Sequence, residues 1–112
     1  MFVAFYTNFI DEVGYGEKEY FKKHPQLSKE LINALLDKNI SISGIDFTGI
    51  RREAEHSKMD QYCAENGVFV VENICNLKEL LGDKKRAKFT AHTYPIKYTE
   101  MSGLPCRVIA EI

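Results

Sequence analysis

Four side chains between residues 46 and 72 are of types that bind divalent metal ions: Asp46, His56, Asp60 and Glu72. An imidazole together with carboxylates is the ligand set of hydrolytic zinc and manganese centres, where the metal acidifies a bound water and polarises a carbonyl. Asp46 and Glu72 each end a predicted strand. If those strands are parallel neighbours, the four side chains lie toward one sheet edge, where α/β proteins place their sites.

Each of the four residues also has an ordinary structural explanation, which the spacing leaves open. Residues 57–60 read Ser-Lys-Met-Asp and fit a capping box, so Asp60 could serve a helix start. Asp46 could brace a loop and His56 could be a surface histidine. Glu72 could form an ion pair with one of the two arginines of the preceding loop.

Other catalytic chemistry finds little support in the sequence. His92 lies in a β segment, where a histidine is more often packed or half-exposed than a base. No serine or cysteine stands in a recognisable nucleophile motif. The cysteines are odd in number and too widely spaced for a CxxC motif, so we predict that all three are reduced and structural: Cys63, Cys75 and Cys106.

Hydrophobic periodicity predicts the elements that must position these residues. Apolar residues recur at three- and four-residue spacing from Leu27, which predicts a helix over 28–38 with Leu31 and Leu35 buried. Residues 8–26 are predicted to be a loop with one helical turn around 17–23. Short helices are predicted after Ser57 and from Asn76 to Gly82.

The β segments complete a predicted α/β fold. Residues 3–6, 40–46 and 68–71 are expected in one sheet, and 87–94 and 105–112 are two further β segments. The apolar phase changes at Gly44, which predicts a bulge or a close backbone approach there. The order of elements predicts a mixed β-sheet with flanking helices in one domain over 1–112.

Composition excludes several classes of partner. The 112 residues carry 15 Lys and Arg against 16 Asp and Glu, a formal net charge of −1, so no excess positive charge is available for nucleic acid or anionic membranes. The basic run at 84–86 is most simply a solvated loop. No apolar run approaches the roughly 20 residues that span a bilayer and no secretory signal is visible, so we predict a cytoplasmic protein with a small-molecule substrate.

Seven segments in this order resemble one known family. They are YFKKHPQLS (20–28), GIDF (44–47), DQYCAENG (60–67), VVEN (70–73), NL (76–77), YPIK (94–97) and GLPCRVIA (103–110). The series resembles the C-terminal half of the cyclase family of metal-dependent hydrolases, to which the kynurenine formamidases, or arylformamidases, belong. The resemblance covers nearly the whole chain.

The resemblance implies a swivelling β/β/α-type fold and a divalent ion, zinc or manganese. It implies an activity on amide or lactone bonds, such as those of aryl formamides, carried out by a metal-activated water. Glu72 matches the family's metal-binding glutamate in its Glu-Asn pair. The family's histidine stands where this chain has Asp60, whereas His56 lies one helical turn earlier. We favour His56 as the ligand; the alternative is that Asp60 binds the metal and His56 supports it.

One departure from the family pattern limits these expectations. The chain has no His-x-Gly-x-x-His-x-Asp segment, which supplies the family's main metal ligands. We therefore expect an incomplete fold that lacks an N-terminal half, binds metal weakly or not at all alone, and forms a homo-oligomer or associates with the missing half. The alternative function is a non-catalytic α/β remnant or partner-binding module.

Overall fold

A computed structural model describes all residues from 1 to 112. Its elements in chain order are β1 (Phe2–Phe5), α1 (Phe9–Val13), α2 (Lys18–Lys22), α3 (Lys29–Leu36), β2 (Ile42–Ile45), a 3₁₀ turn (Glu53–Glu55), α4 (His56–Glu65), β3 (Phe69–Val71), α5 (Leu77–Leu81), β4 (Thr90–Pro95) and β5 (Cys106–Glu111). The α/β class is confirmed. The residues group into two compact units, Met1–Lys78 and Glu79–Ile112, while the single domain stays a prediction.

The first unit contains a parallel three-stranded sheet in the order β1-β2-β3. Gly44 of β2 lies opposite Ala4 of β1 and Val71 of β3. The predicted grouping of 3–6, 40–46 and 68–71 in one sheet is confirmed. Because the strands are parallel, β2 and β3 bring their carboxyl ends to the same edge, and the residues that follow them become neighbours.

Gly44 marks neither a bulge nor a close backbone approach, and the atoms nearest to it belong to side chains. The pairing continues through Ser43 and Gly44 without an inserted residue. A Cβ at Gly44 would lie 2.5 Å from Cδ1 of Ile74 and 3.0 Å from Cζ of Phe2. The apolar alternation is interrupted at Gly44 because the side chains of Ile74 and Phe2 occupy the space that a side chain would need there.

Helix α3 supplies much of the core. Its N-cap Ser28 accepts a hydrogen bond from the backbone N–H of Leu31 at 3.1 Å. Leu35 is buried, with 7% of its surface exposed, and Ile32 is buried still more completely. Leu31 is only partly buried and packs at the margin of the core, so the prediction for it was half right.

Two local predictions were wrong. Helix α4 begins at His56, its N-cap Glu55 makes no side-chain cap, and the 3₁₀ turn runs directly into it. The predicted capping box is therefore absent, because Asp60 already lies in the second turn, where its carboxylate meets other groups. Helix α1 was missed within the predicted loop, whereas α2 falls inside the predicted helical turn.

In the second unit, β4 and β5 form an antiparallel pair that runs from Thr90 opposite Glu111 to Pro95 opposite Cys106. Parallel and antiparallel pairings are thus both present, distributed over two sheets. His92 is half-buried on β4, with Nε2 at 2.8 Å from Oε2 of Glu111, a strand position of the kind the sequence indicates. None of the helices is both long and apolar enough to cross a bilayer.

The three cysteines form no disulfide bond. Cys63 is buried in α4 and Cys106 is half-buried at the start of β5, which agrees with a packing role for both. Cys75 is exposed, so the prediction of a structural role is wrong for that residue. It lies in the turn between β3 and α5, where no core is available to receive it.

Candidate metal centre

Three of the four candidate ligands meet beyond the carboxyl ends of β2 and β3. Glu72 directly follows β3, and His56 is the first residue of α4. Asp60 lies four residues after His56, so the two side chains lie on the same face of the helix. The start of one helix and the end of one strand therefore bring the cluster together.

The distances within this cluster are short. Nε2 of His56 lies 2.8 Å from Oε1 of Glu72 and 3.2 Å from Oδ2 of Asp60. One ligand atom from each residue falls within 4.8 Å of the other two. The side chains of His56, Asp60 and Glu72 are 35%, 27% and 24% exposed, so the cluster is sheltered but open to a small ion.

Neighbouring residues fix the orientation of Glu72. Its Oε2 accepts a hydrogen bond of 3.3 Å from the hydroxyl of Thr48. The next residue, Asn73, has a φ of 60° and donates its backbone N–H to the carbonyl of Phe47 at 3.1 Å. The side-chain oxygen of Asn73 accepts a 2.7 Å hydrogen bond from the hydroxyl of Tyr20. The turn after β3 is thereby tied to the turn after β2 and to α2.

The cluster shifts the protonation of its own members. Burial, together with the neighbouring carboxylate of Glu72, raises the pKa of Asp60 to about 7. Burial alone would lower the pKa of His56, but its hydrogen bond to Glu72 and the charges of Glu72 and Asp60 outweigh it and raise that pKa. Both shifts favour the protonated forms of Asp60 and His56 in the absence of metal.

The donor set fits a divalent ion. Oδ1 of Asp60 is buried without a hydrogen-bond partner, which leaves a carboxylate oxygen with unused acceptor capacity beside the cluster. One imidazole nitrogen and carboxylate oxygens suit zinc or manganese. His56, Asp60 and Glu72 could hold such an ion, and a set of three ligands leaves positions for water and substrate. The metal-binding role of each residue stays a prediction.

Asp46, the fourth candidate, lies apart from this cluster. It is completely buried and accepts hydrogen bonds from the backbone N–H of Thr7 at 3.0 Å and from the Thr7 hydroxyl at 2.7 Å. The alternative in which Asp46 braces a loop is the one its contacts support. The suggested ion pair between Glu72 and an arginine is absent, because Arg51 pairs with Glu55 at 3.1 Å.

Sequence reasoning missed two buried polar residues in this region. Tyr20 donates to Asn73, and burial raises its pKa to about 12. His24 stacks on Phe47 with ring centroids 5.7 Å apart, and burial lowers its pKa. Both lie in the 20–28 segment on which the family resemblance partly rests. The four-residue spacing of Tyr20 and His24 was the signal available in the sequence. No local pattern shows that this segment packs against the residues that follow β2 and β3.

Chemically, the three donors could hold a divalent cation and leave part of it accessible to solvent. The thiol of Cys63 is not an activated nucleophile, since it is buried and burial raises its pKa. Neither known protein families nor curated proteins give a match to this chain.

Proposed function

We propose that this chain is a metal-dependent hydrolase of the cyclase type, acting on amide or lactone bonds such as those of aryl formamides. The convergence of His56, Asp60 and Glu72 supports the proposal most directly. It is the ligand chemistry that the resemblance implies, at the sheet edge where an α/β protein carries a site. His56 and Asp60 both reach the same point as Glu72, which supports a site in which both are ligands.

In the proposed reaction, a bound zinc or manganese ion would acidify a water and polarise the carbonyl under attack. His56, Asp60 and Glu72 would hold the ion, and Thr48 orients Glu72. Asp60 must release its proton to become a ligand, and its pKa of about 7 allows this at neutral pH.

Aromatic side chains that pack around Tyr20 favour an aryl substrate. The exposed ring of Tyr15 and the half-exposed ring of Phe21 each lie 5.5 Å from the ring of Tyr20, centroid to centroid. The hydroxyl of Tyr20 reaches Asn73, the neighbour of Glu72. Exposed aromatic surface of this kind packs well against a flat apolar group. An N-formylkynurenine-like molecule has such a group beside its scissile amide.

A second candidate function is a non-catalytic partner-binding module. It is favoured by one observation, the absence of a His-x-Gly-x-x-His-x-Asp segment from these 112 residues. Three ligands hold an ion less tightly than a closed set of four, and no catalytic base is evident among the described groups. The two functions differ in whether the cluster binds metal at all.

Metal binding is the decisive test. The purified chain, freed of metal with a chelator, would be titrated with Zn²⁺ and Mn²⁺ by calorimetry. We expect one weak site, together with low turnover of N-formylkynurenine measured by absorbance. Glu72→Gln should abolish the site, whereas Glu65→Gln, at an exposed position late in α4, should not. A wild-type chain with no site, or a site unaffected by Glu72→Gln, would remove the hydrolase proposal in favour of the binding module.

We further propose that the chain self-associates. The second unit leaves large apolar side chains exposed: Tyr94, Ile96, Tyr98, Met101, Leu104 and Ile109. A two-stranded pair is marginally stable alone, and exposed apolar surface of this extent marks an interaction site. Light scattering coupled to gel filtration should give a mass above that of one chain. A monomer at high protein concentration would contradict self-association.

A further inference from the structure

The turn at Thr48 and Gly49 contacts two members of the cluster. Gly49 is buried and has a φ of +88°, a conformation that side chains disfavour. A Cβ at this position would lie 2.5 Å from Cδ2 and 2.6 Å from Nε2 of His56. The space that a side chain would fill at Gly49 is therefore the space that the imidazole occupies.

The preceding residue contacts the partner of His56. The hydroxyl of Thr48 donates to Oε2 of Glu72, while Oε1 of the same carboxylate faces Nε2 of His56. Thr48 and Gly49 thus hold His56, in a helix, and Glu72, directly after a strand, which are 16 positions apart in the chain. Neither Thr48 nor Gly49 offers a metal ligand from its side chain in this arrangement.

We propose that the turn formed by Thr48 and Gly49 is a positioning device that holds the His56 ring facing the Glu72 carboxylate, so that both can bind one divalent cation. This inference rests on the proposed function and adds to it two residues that do not touch the ion. Metal sites need ligand distances correct to about 0.2 Å, so even a small displacement of the ring weakens binding. The His56 side chain is 35% exposed and has room to turn toward solvent. A methyl group at Gly49 would therefore displace the ring before it displaces the backbone.

Gly67 provides a matched control for the backbone cost. It has a φ of +82°, close to that of Gly49, but a Cβ there would meet nothing within 4 Å. Gly67→Ala and Gly49→Ala therefore carry similar conformational strain. Only Gly49→Ala places an atom against the imidazole. The difference between the two variants isolates the effect on the ring.

The experiment compares zinc affinity and thermal stability in wild type, Gly49→Ala and Gly67→Ala. We expect Gly49→Ala to bind Zn²⁺ at least about tenfold more weakly than Gly67→Ala, the loss typical when a group that orients a ligand is altered. Without metal, both variants should fold, and Gly49→Ala should melt at the lower temperature because it also separates His56 from Glu72. Thr48→Val should also weaken binding, and Thr48→Ser should restore it. Equal zinc affinities for the two alanine variants would overturn the proposal.

A second measurement separates this inference from the proposed function. In metal-free protein, nuclear Overhauser contacts between the His56 ring and Gly49 report the seating of the ring directly. A crystal structure of metal-free Gly49→Ala should show His56 Nε2 beyond hydrogen-bond distance of Glu72, and that of Gly67→Ala should retain the contact. If the wild-type protein binds no metal, the hydrolase proposal fails. The positioning role is still supported if the His56–Glu72 contact is lost in Gly49→Ala and kept in Gly67→Ala. Retention of the contact in both variants would refute that role.

Discussion

Nε2 of His56 lies 2.8 Å from Oε1 of Glu72, which joins the first residue of α4 to the residue that directly follows β3. With Asp60 one helical turn away, the pair places an imidazole between two carboxylates. Such a group can be occupied by protons or by a metal ion. Competition between the two determines several measurable properties of the protein.

Metal affinity should rise with pH. Asp60 has a pKa raised to about 7, and the pKa of His56 is also raised, so both carry protons below neutrality. A protonated ligand must lose its proton before it binds metal. For each such ligand, the apparent metal affinity therefore falls by up to about tenfold for every pH unit below the pKa of that ligand. Zinc titrations at pH 6, 7 and 8 should show a steady gain. An affinity that does not change over this range would exclude Asp60 and His56 as ligands.

The core position of Leu35 should be far more sensitive than that of Leu31. Leu35 is buried, whereas Leu31 lies partly exposed at the core margin. We expect Leu35→Ala to lower the free energy of unfolding by about 2–5 kcal/mol and Leu31→Ala by about 1–2 kcal/mol. Urea denaturation measures both. Asn33→Ala, at an exposed position of α3, serves as the control and should change stability by less than about 0.5 kcal/mol.

The elements with strong local signals were the ones the sequence could predict. Helix α3 has a clear apolar face and a capping serine at Ser28, and its N-terminus was placed correctly. The three parallel strands follow from short apolar runs. Helix α1 spans only Phe9–Val13 and buries no residue, so it has no periodic pattern to detect. The capping-box pattern at 57–60 was misleading because the 3₁₀ turn extends the helical path to an earlier start.

The sequence indicated which residue types form the candidate site, but it indicated only some of the contacts that surround them. His56, Asp60 and Glu72 carry the right donors, so their types and the strand ends indicated them. Tyr20 was missed because its contact with Asn73 spans 53 positions, beyond the reach of any local pattern. Gly49 was missed for a related reason, because only the structure shows that the His56 ring packs against it. Asp46 was wrongly grouped, because strand-end position alone does not show that Thr7 satisfies its carboxylate.

The cysteines should differ in reactivity. Cys75 is exposed, Cys106 is half-buried, and Cys63 is buried with a pKa that burial raises and the charge of Asp60 raises further. Because the thiolate is the reactive form, we expect a thiol reagent to modify Cys75 first and Cys63 last in the native protein. Mass spectrometry of partly labelled chains gives the order. Cys75→Ser should remove the fast phase, and early labelling of Cys63 would contradict its burial.

The metal-free protein should lose stability as pH rises through neutrality. The folded-state pKa of Asp60, about 7, is above its ordinary value of 3.8, so the folded state holds a proton that the unfolded state releases. The His56 pKa is also raised on folding, and its contribution is likewise lost as pH rises. Both groups therefore stabilise the fold less at pH 8 than at pH 5. Urea denaturation at a series of pH values measures the change.

Asp60→Asn should show that the buried carboxylate of Asp60 lowers the stability of the fold. An asparagine has no charge to bury and resembles the protonated acid, so the variant should be more stable than wild type at pH 8 and should lose part of the pH dependence. It should also bind zinc more weakly, because an amide oxygen is a poorer ligand than a carboxylate. Glu65→Gln, which removes an exposed carboxylate from the same helix, should change neither property. A variant that is less stable than wild type at pH 8 would show that the Asp60 carboxylate stabilises the fold and is not held there for a metal ion.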